Sequence, residues 1–313
     1  MTDWFFADAG LVLLVLAIGA STIFTRKAFD AAIAFVVYGL LLAIVWVRLS
    51  AIDVALTEAA IGGGLTGMLL LGAVARLRSA EPDNTRINLP VRLATGFCCA
   101  LVAAGLAGAL LLLPKAAPTL APAVLENLPL TGLRNPVAGV LFAYRALDTL
   151  SEKAVLLLAL LGVWSLAPND AWNGIPGLRL YERPNSTLTF LAQLLPPVGI
   201  VVGVYICWVG ANEPGGAFQG GTILAAMWLL VIIARVQGAP SIGQLWLRIG
   251  LILGPAVFLA VGLAGLVWAN GFLAYPPGYA KPLIVMIELT LMISIAVVLA
   301  MLAAGPPKQV QQE

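Results

Sequence analysis

The 313-residue chain contains no histidine, and Asp, Glu, Lys and Arg together make up only 10% of it. The missing histidine removes the commonest metal and haem ligand, the usual general base and the physiological-pH switch. Charge at less than half the roughly 25% of an ordinary soluble domain leaves too little polar surface to cover a core in water. Cysteine is scarce as well, with Cys98 and Cys99 adjacent in one apolar run and Cys207 in another. There is no CxxC pair, and three thiols fall short of the four that hold an iron–sulfur cluster. No metal site and no cofactor are therefore expected here, and any redox centre would belong to another chain. The formal net charge is +2 without a basic tract, which argues against a nucleic-acid partner. Disorder is excluded by the 61% of apolar residues. What remains is an integral membrane protein, and a soluble enzyme is ruled out.

A bilayer-spanning helix needs about 20 mostly apolar residues. That rule predicts an all-α polytopic protein with nine spans, near 8–25, 31–47, 51–75, 93–113, 151–168, 187–209, 217–235, 245–269 and 282–304. The first lacks the positively charged start of a secretory signal and is followed by Arg26 and Lys27, so it reads as a retained helix. Basic residues set the orientation. With the N-terminus outside, 11 of the 17 fall on the inner side, among them Arg26, Lys27, Arg78, Arg86, Arg179, Arg183 and Lys308. Four, Arg48, Lys115, Arg134 and Lys281, fall outside, and Arg145 and Lys153 are set aside as near-membrane. The C-terminus is then inside.

Two polar stretches, 76–92 and 168–185, divide the spans into blocks of three, two and four. The domains implied are 1–80, 81–170 and 171–313. No internal repeat is evident. The outer segment 114–135 holds four prolines and should be extended or short-helical rather than a further span.

Charge at bilayer depth costs several kcal/mol, so acidic residues inside apolar runs are candidates for function. The third span, AIDVALTEAAIGGGLTGMLLLGAVAR, carries Asp53 and Glu58. Five residues apart, they stand about 140° from one another on an ideal helix and cannot share a face. Gly62, Gly63 and Gly64 follow at once and permit close packing or a π-bulge. Asp53 reads either as a functional carboxylate or as a helix cap. In the segment 136–166, Arg145, Asp148 and Glu152 fall at i, i+3 and i+7 on one helical stripe, with Lys153 beside them and Ser151 able to cap a span starting there. They form either a hydrated rung that relays protons or holds a partner helix, or a solvated amphipathic surface. Glu288 lies in KPLIVMIELTLMISIAVVLAML with no basic residue nearby. It reads as a proton or cation carrier, or as a protonated side chain bonded to a neighbouring helix.

The loop NEPGGAFQGG, residues 212–221, supplies Asn212, Glu213, Pro214, Gly215, Gly216, Gln219, Gly220 and Gly221. Its glycines specify a tight turn with close backbone approach at the start of the next helix. A cation held by carbonyls and a rigid hairpin are both compatible with this composition. It is no P-loop, because the GK[ST] ending is missing.

These residues carry a resemblance. D-V-A-L-T-E-A-A-I-G, within 51–75, resembles the D-type domain of Mrp cation/proton antiporters and membrane-bound hydrogenases. Y-R-A-L-D-T-L-S-E at 144–152 is similar to the adjoining E-type pattern, [FY]-R-G-x-D-T-x-x-E. The 212–221 loop with the late Glu288 looks like the B-type component of the antiporter, equivalent to the F-type component of the hydrogenase. The order of the three motifs matches the three blocks of spans. The family loop often reads H-N-x-P-G-G-G-F-x-G-G; here Ala211 replaces the histidine and Ala217 a glycine.

The resemblance implies an accessory subunit of a multi-subunit, complex-I-related assembly in the prokaryotic inner membrane. Its partners would be other membrane subunits, lipid, protons and Na⁺ or another monovalent cation. Asp53, Glu58 and Glu288 would carry charge; Arg145, Asp148, Glu152 and Lys153 would line the helix interface and the hydrated path. The alternative is the membrane arm of a hydrogenase or related redox complex.

Overall fold

The computed structural model describes residues 2–77, 88–113, 119–168, 171–172, 174–177 and 186–308. Arg78, Arg86, Lys115, Arg179 and Arg183, which enter the basic-residue count, lie outside them, as does much of both polar stretches. The first block consists of α1 (Thr2–Phe24), α2 (Ala28–Arg48) and a third helix in three pieces. That helix runs as α3 (Ile52–Thr57), a π-helical segment (Glu58–Leu65) and α4 (Thr66–Leu77). The middle of the chain gives α5 (Leu89–Leu112), α6 (Ala121–Asn127), a 3₁₀ turn (Leu128–Thr131), α7 (Pro136–Gly139), a second π segment (Val140–Tyr144) and α8 (Ala146–Trp164). The last block is α9 (Ser186–Val209), α10 (Ala217–Ile233), α11 (Leu245–Trp268) and α12 (Ala280–Ala304). A two-residue antiparallel pairing of β1 (Ile175–Pro176) with β2 (Pro307–Lys308) is the sheet structure among the described residues.

Seven of these helices are long and apolar enough to cross a bilayer: Phe5–Phe24, Ala28–Arg48, Ile52–Val74, Leu89–Leu112, Ser186–Val209, Leu245–Trp268 and Ala280–Ala304. The two remaining expected spans differ in kind. α10 has only 17 residues, about 26 Å at 1.5 Å per residue, because the glycine loop before it occupies the outer end of its path. α8 carries Asp148, Glu152 and Lys153 in its first turns. It also starts at Ala146 rather than at Ser151, which sits inside the helix and caps nothing, because α7 and the second π segment lead directly into it. The proline-containing stretch is short-helical where described, as its composition predicts.

α12 is the axis of the fold. It packs against α8, α9, α10 and α11, and Ile284, Ile287, Leu291, Ile295 and Leu299 are fully or almost fully buried. A helix apolar on all sides belongs in such a position. Small residues let the backbones approach: a Cβ at Gly220 would stand 2.5 Å from the Gly203 carbonyl, so α9 and α10 can meet only as glycines. The triple glycine of the first block does form the anticipated π segment, and α2 lies directly on it. A Cβ at Gly39 would come within 2.9 Å of the Gly63 nitrogen. The outside of the bundle is apolar and open, α5 having no buried residue and Cys98 and Cys99 both facing outward.

Inter-loop hydrogen bonds sort the helix ends into two faces. On one, Arg134 N–H bonds to Ala211 O, and Lys281 Nζ donates to Asn212 Oδ1 at 2.8 Å. Asp8 and Arg48, at the start of α1 and the end of α2, pair at 2.8 Å. On the other, Gly177 N–H reaches Pro306 O, and Ile242 N–H reaches Gly174 O. The described loops joined by these bonds fall on alternate faces, as successive crossings require.

Candidate functional site

Asn135, buried between the two loops of the first face, organises what lies beneath it. Its side-chain oxygen accepts the Val137 N–H at 2.9 Å and caps α7, as an Asn–Pro start allows. Its amide donates to Gly210 O at 3.0 Å, to Glu213 O at 3.1 Å and to Asp53 Oδ1 at 3.4 Å. Asp53 stands in the first turn of α3 but makes no side-chain cap for its own helix. Its Oδ1 accepts instead from the Gly215 N–H at 2.9 Å. The carboxylate thus joins the first block to the glycine loop of the last.

Gly215 and Gly216 hold φ of +150° and +147°, which L side chains rarely adopt. A Cβ on Gly216 would lie 3.3 Å from Glu288 Oε1 and 3.3 Å from Gln219 Oε1. Glu288 therefore sits against the glycine step whose preceding residue holds Asp53, beside the start of α10, where the helix dipole favours an anion. It is the ninth residue of α12, roughly 12 Å from that helix's start. Only 2% of it is exposed, and its Oε2 has no hydrogen-bond partner among the described residues. Gln219 Nε2 donates to Thr57 Oγ1 at 3.1 Å, while Thr57 Oγ1 donates to the Asp53 carbonyl at 2.9 Å.

A cavity of about 350 Å³ opens among these groups. Asp53, Thr57, Thr149, Glu152, Lys153, Gly216, Gln219 and Glu288 supply its polar lining; Ile61, Leu141, Phe142, Phe218 and Leu291 contribute apolar wall. A second cavity, about 300 Å³, lies on the side of Ser50, Arg134, Asn135, Asn212 and Glu213, and Asp53, Val54 and Val137 line both. Asp53 thus lines both the outer cavity, or vestibule, and the inner chamber. Tyr275, between α11 and α12, donates its hydroxyl to Phe142 O at 2.8 Å, and burial pushes its phenol above the ordinary range.

The sequence-derived candidates separate. Asp53, Glu152, Lys153 and Glu288 converge on the chamber, one or more from each block of the chain. Glu58 does not: its carboxylate lies over its own helix, in the space that a Gly62 Cβ would occupy, so glycine at 62 is what gives that side chain room. Arg145 and Asp148 pair with each other at 2.5 Å on the outer surface, their side chains 72% and 59% exposed. Arg145 precedes α8 with φ −130° rather than lying in a helix, so the expected single stripe is split: Arg145 and Asp148 face away from the chamber and Glu152 lines it. Lys153, one position further round, is the member of the group that turns inward, with Nζ 2.7 Å from Glu152 Oε1. Asn135 and Thr57 are uncharged and fall outside the sequence-derived candidates; the sequence marks Asn135 only by the Asn–Pro pair at a helix start. Among the described residues no group of three or more His, Cys, Asp or Glu side chains is gathered as a resident metal site would require.

Fold and site together define a multi-pass all-α membrane protein with a cavity among its helices lined by charged, polar and apolar side chains. Residues 12–79 match the MbhD family model of the membrane-bound hydrogenases (MBH), and residues 187–305 match the model described as "Domain related to MnhB subunit of Na+/H+ antiporter". The chain thus carries a stretch similar to each of these two models, the first near its start and the second in its last four helices. An uncharacterized protein of Methanocaldococcus jannaschii is 28% identical over 151 residues, 42% of this chain and 56% of that protein. The fold is similar to a chain of the Mrp complex from Dietzia sp., with TM-score 0.74 and 22% identity over 97% of this chain. It is also similar to a chain of the membrane-bound sulfane sulfur reductase, an archaeal respiratory membrane complex. There the TM-score is 0.56 with 25% identity, over 68% of this chain and 96% of that one. The chain spans about half of the curated relative's length and 35% of the Mrp chain.

Proposed function

We propose that the chain is an accessory subunit of an Mrp-type monovalent cation/proton antiporter in the prokaryotic plasma membrane, with its N-terminus outside and its C-terminus inside. The observation that carries this reading is the chamber at which Asp53, Glu152, Lys153 and Glu288 meet, with Asp53 also lining the vestibule. Carboxylates at such depth serve to bind and release positive charge. Asp53 takes a proton or cation from the vestibule, Glu288 holds it at the glycine step, and Glu152, half exposed, passes it on. Residues 81–170 occupy the place of the E-type domain, and the exposed Arg145–Asp148 pair faces a neighbouring membrane subunit rather than lipid.

The test uses the whole complex in everted membrane vesicles, following the collapse of a proton gradient on Na⁺ addition. Glu288→Gln and Asp53→Asn should each lower Na⁺-dependent proton movement by about tenfold or more, with unchanged amounts of assembled complex. Full transport in both variants would remove these carboxylates from the path.

A second reading, the membrane arm of a complex-I-like redox assembly, is favoured by the MbhD match and by likeness to the sulfane sulfur reductase. Co-purification decides between the two: an iron–sulfur or nickel–iron partner supports the redox complex, and antiporter subunits alone support the antiporter.

A further inference from the structure

Lys153 is 5% exposed, and its Nζ has two close neighbours: Glu152 Oε1 at 2.7 Å and the Phe218 ring, whose centroid is 4.8 Å away. A carboxylate and the face of an aromatic ring are what a monovalent metal ion would also use. Phe218 is the second residue of α10, so the ammonium reaches from α8 across the chamber wall to the helix that starts at the glycine step. The same lining holds Asp53, Glu152 and Glu288, three acids to one base. Its predecessor Glu152 is half exposed, and an ammonium drawn fully inward needs compensating partners. Its presence changes what the chamber can accept.

We infer that Lys153 is a tethered cation that competes with monovalent metal ions for the acidic chamber and so sets its selectivity for protons over metal ions; this rests on the transport reading above. An ammonium on a flexible four-carbon stem occupies the position a free ion would take. A proton passes to a carboxylate without displacing it, whereas a metal ion must enter against a like charge already at the wall. Glu152, half exposed and bonded to the ammonium at 2.7 Å, holds that charge at the chamber wall.

The measurement is the Na⁺ concentration that half-saturates proton movement by the assembled complex in vesicles, normalised to the amount of complex. Lys153→Gln should lower that concentration by roughly tenfold or more, as expected when a like charge is removed from a binding site. Lys153→Arg, which keeps the charge, should leave it near the parent value. A purely structural lysine predicts less assembled complex with an unshifted half-saturation, and that result overturns the proposal. Should Lys153→Gln fail to assemble, Lys153→Met supplies an uncharged side chain of similar length; failure of both would make Lys153 a fold-holding residue and equally overturn it. Absence of any Na⁺-dependent proton movement in the parent complex would instead remove the transport reading itself.

Discussion

A single carboxamide ties three parts of this chain together. Asn135 caps α7 with its oxygen and satisfies two loop carbonyls and Asp53 with its amide, so no other side chain type fills the place. Asn135→Ala leaves the Gly210 and Glu213 carbonyls without that donor and α7 without a cap. Each buried group left unpaired costs about 1–3 kcal/mol and the cap about 1 kcal/mol. The thermal unfolding midpoint of the detergent-solubilised protein should fall clearly. Asn135→Asp keeps the cap acceptor yet sets a second acid beside Asp53, and should destabilise as well. Midpoints equal to the parent in both variants would show that the hub carries no stability. Residues with the same chemistry diverge here by position alone: Glu58 and Glu288 are both acids in apolar runs, and only Glu288 reaches the chamber.

At the scale of elements, the π segment at Glu58–Leu65 and Gly39 of α2 form one packing device. The wider π turn and the missing side chains bring two backbones together, and a Cβ at Gly39 would meet the Gly63 nitrogen at 2.9 Å and the Gly62 carbonyl carbon at 3.0 Å. Neither is the end of a flexible side chain, so the helices must separate. Gly39→Ala should cost about 1–3 kcal/mol, the range for overpacking. Gly72→Ala, in α4 of the same block, meets nothing within 4 Å and gains helix propensity of up to about 1 kcal/mol. Its unfolding midpoint should hold or rise. If the two substitutions behave alike, the close approach of α2 to the π segment is not what holds this block.

For the whole molecule, the loop contacts define two faces, and the basic residues say which is outside. Glu213 lies on the face of Asn135 and Lys281, while Gln237, between α10 and α11, lies toward the other; both are exposed. In a chain freed of its native cysteines, Glu213→Cys should react with a membrane-impermeant thiol reagent in intact cells. Gln237→Cys should react only after the cells are opened. Labelling of both from outside would contradict the alternation of loops between faces; the reverse pattern would invert the orientation while leaving the chamber intact.

Low charge and long apolar runs determine by themselves that this is a helical membrane protein, because hydrocarbon leaves a spanning backbone few other ways to satisfy its hydrogen bonds. The glycine triplet announces its π segment, and the lone acids announce a polar interior, since both are local departures from what a spanning helix tolerates. Which acids share a chamber is not local. It depends on where α10 begins, how far the glycine loop dips, and which way the π turn before Arg145 rotates α8. Those are set by contacts between residues 80 or more apart in the chain, such as Asn135 and Asp53 or Gly215 and Asp53. A one-residue step around α8 separates half-exposed Glu152 from inward Lys153, and only the packed helices determine on which side that step falls.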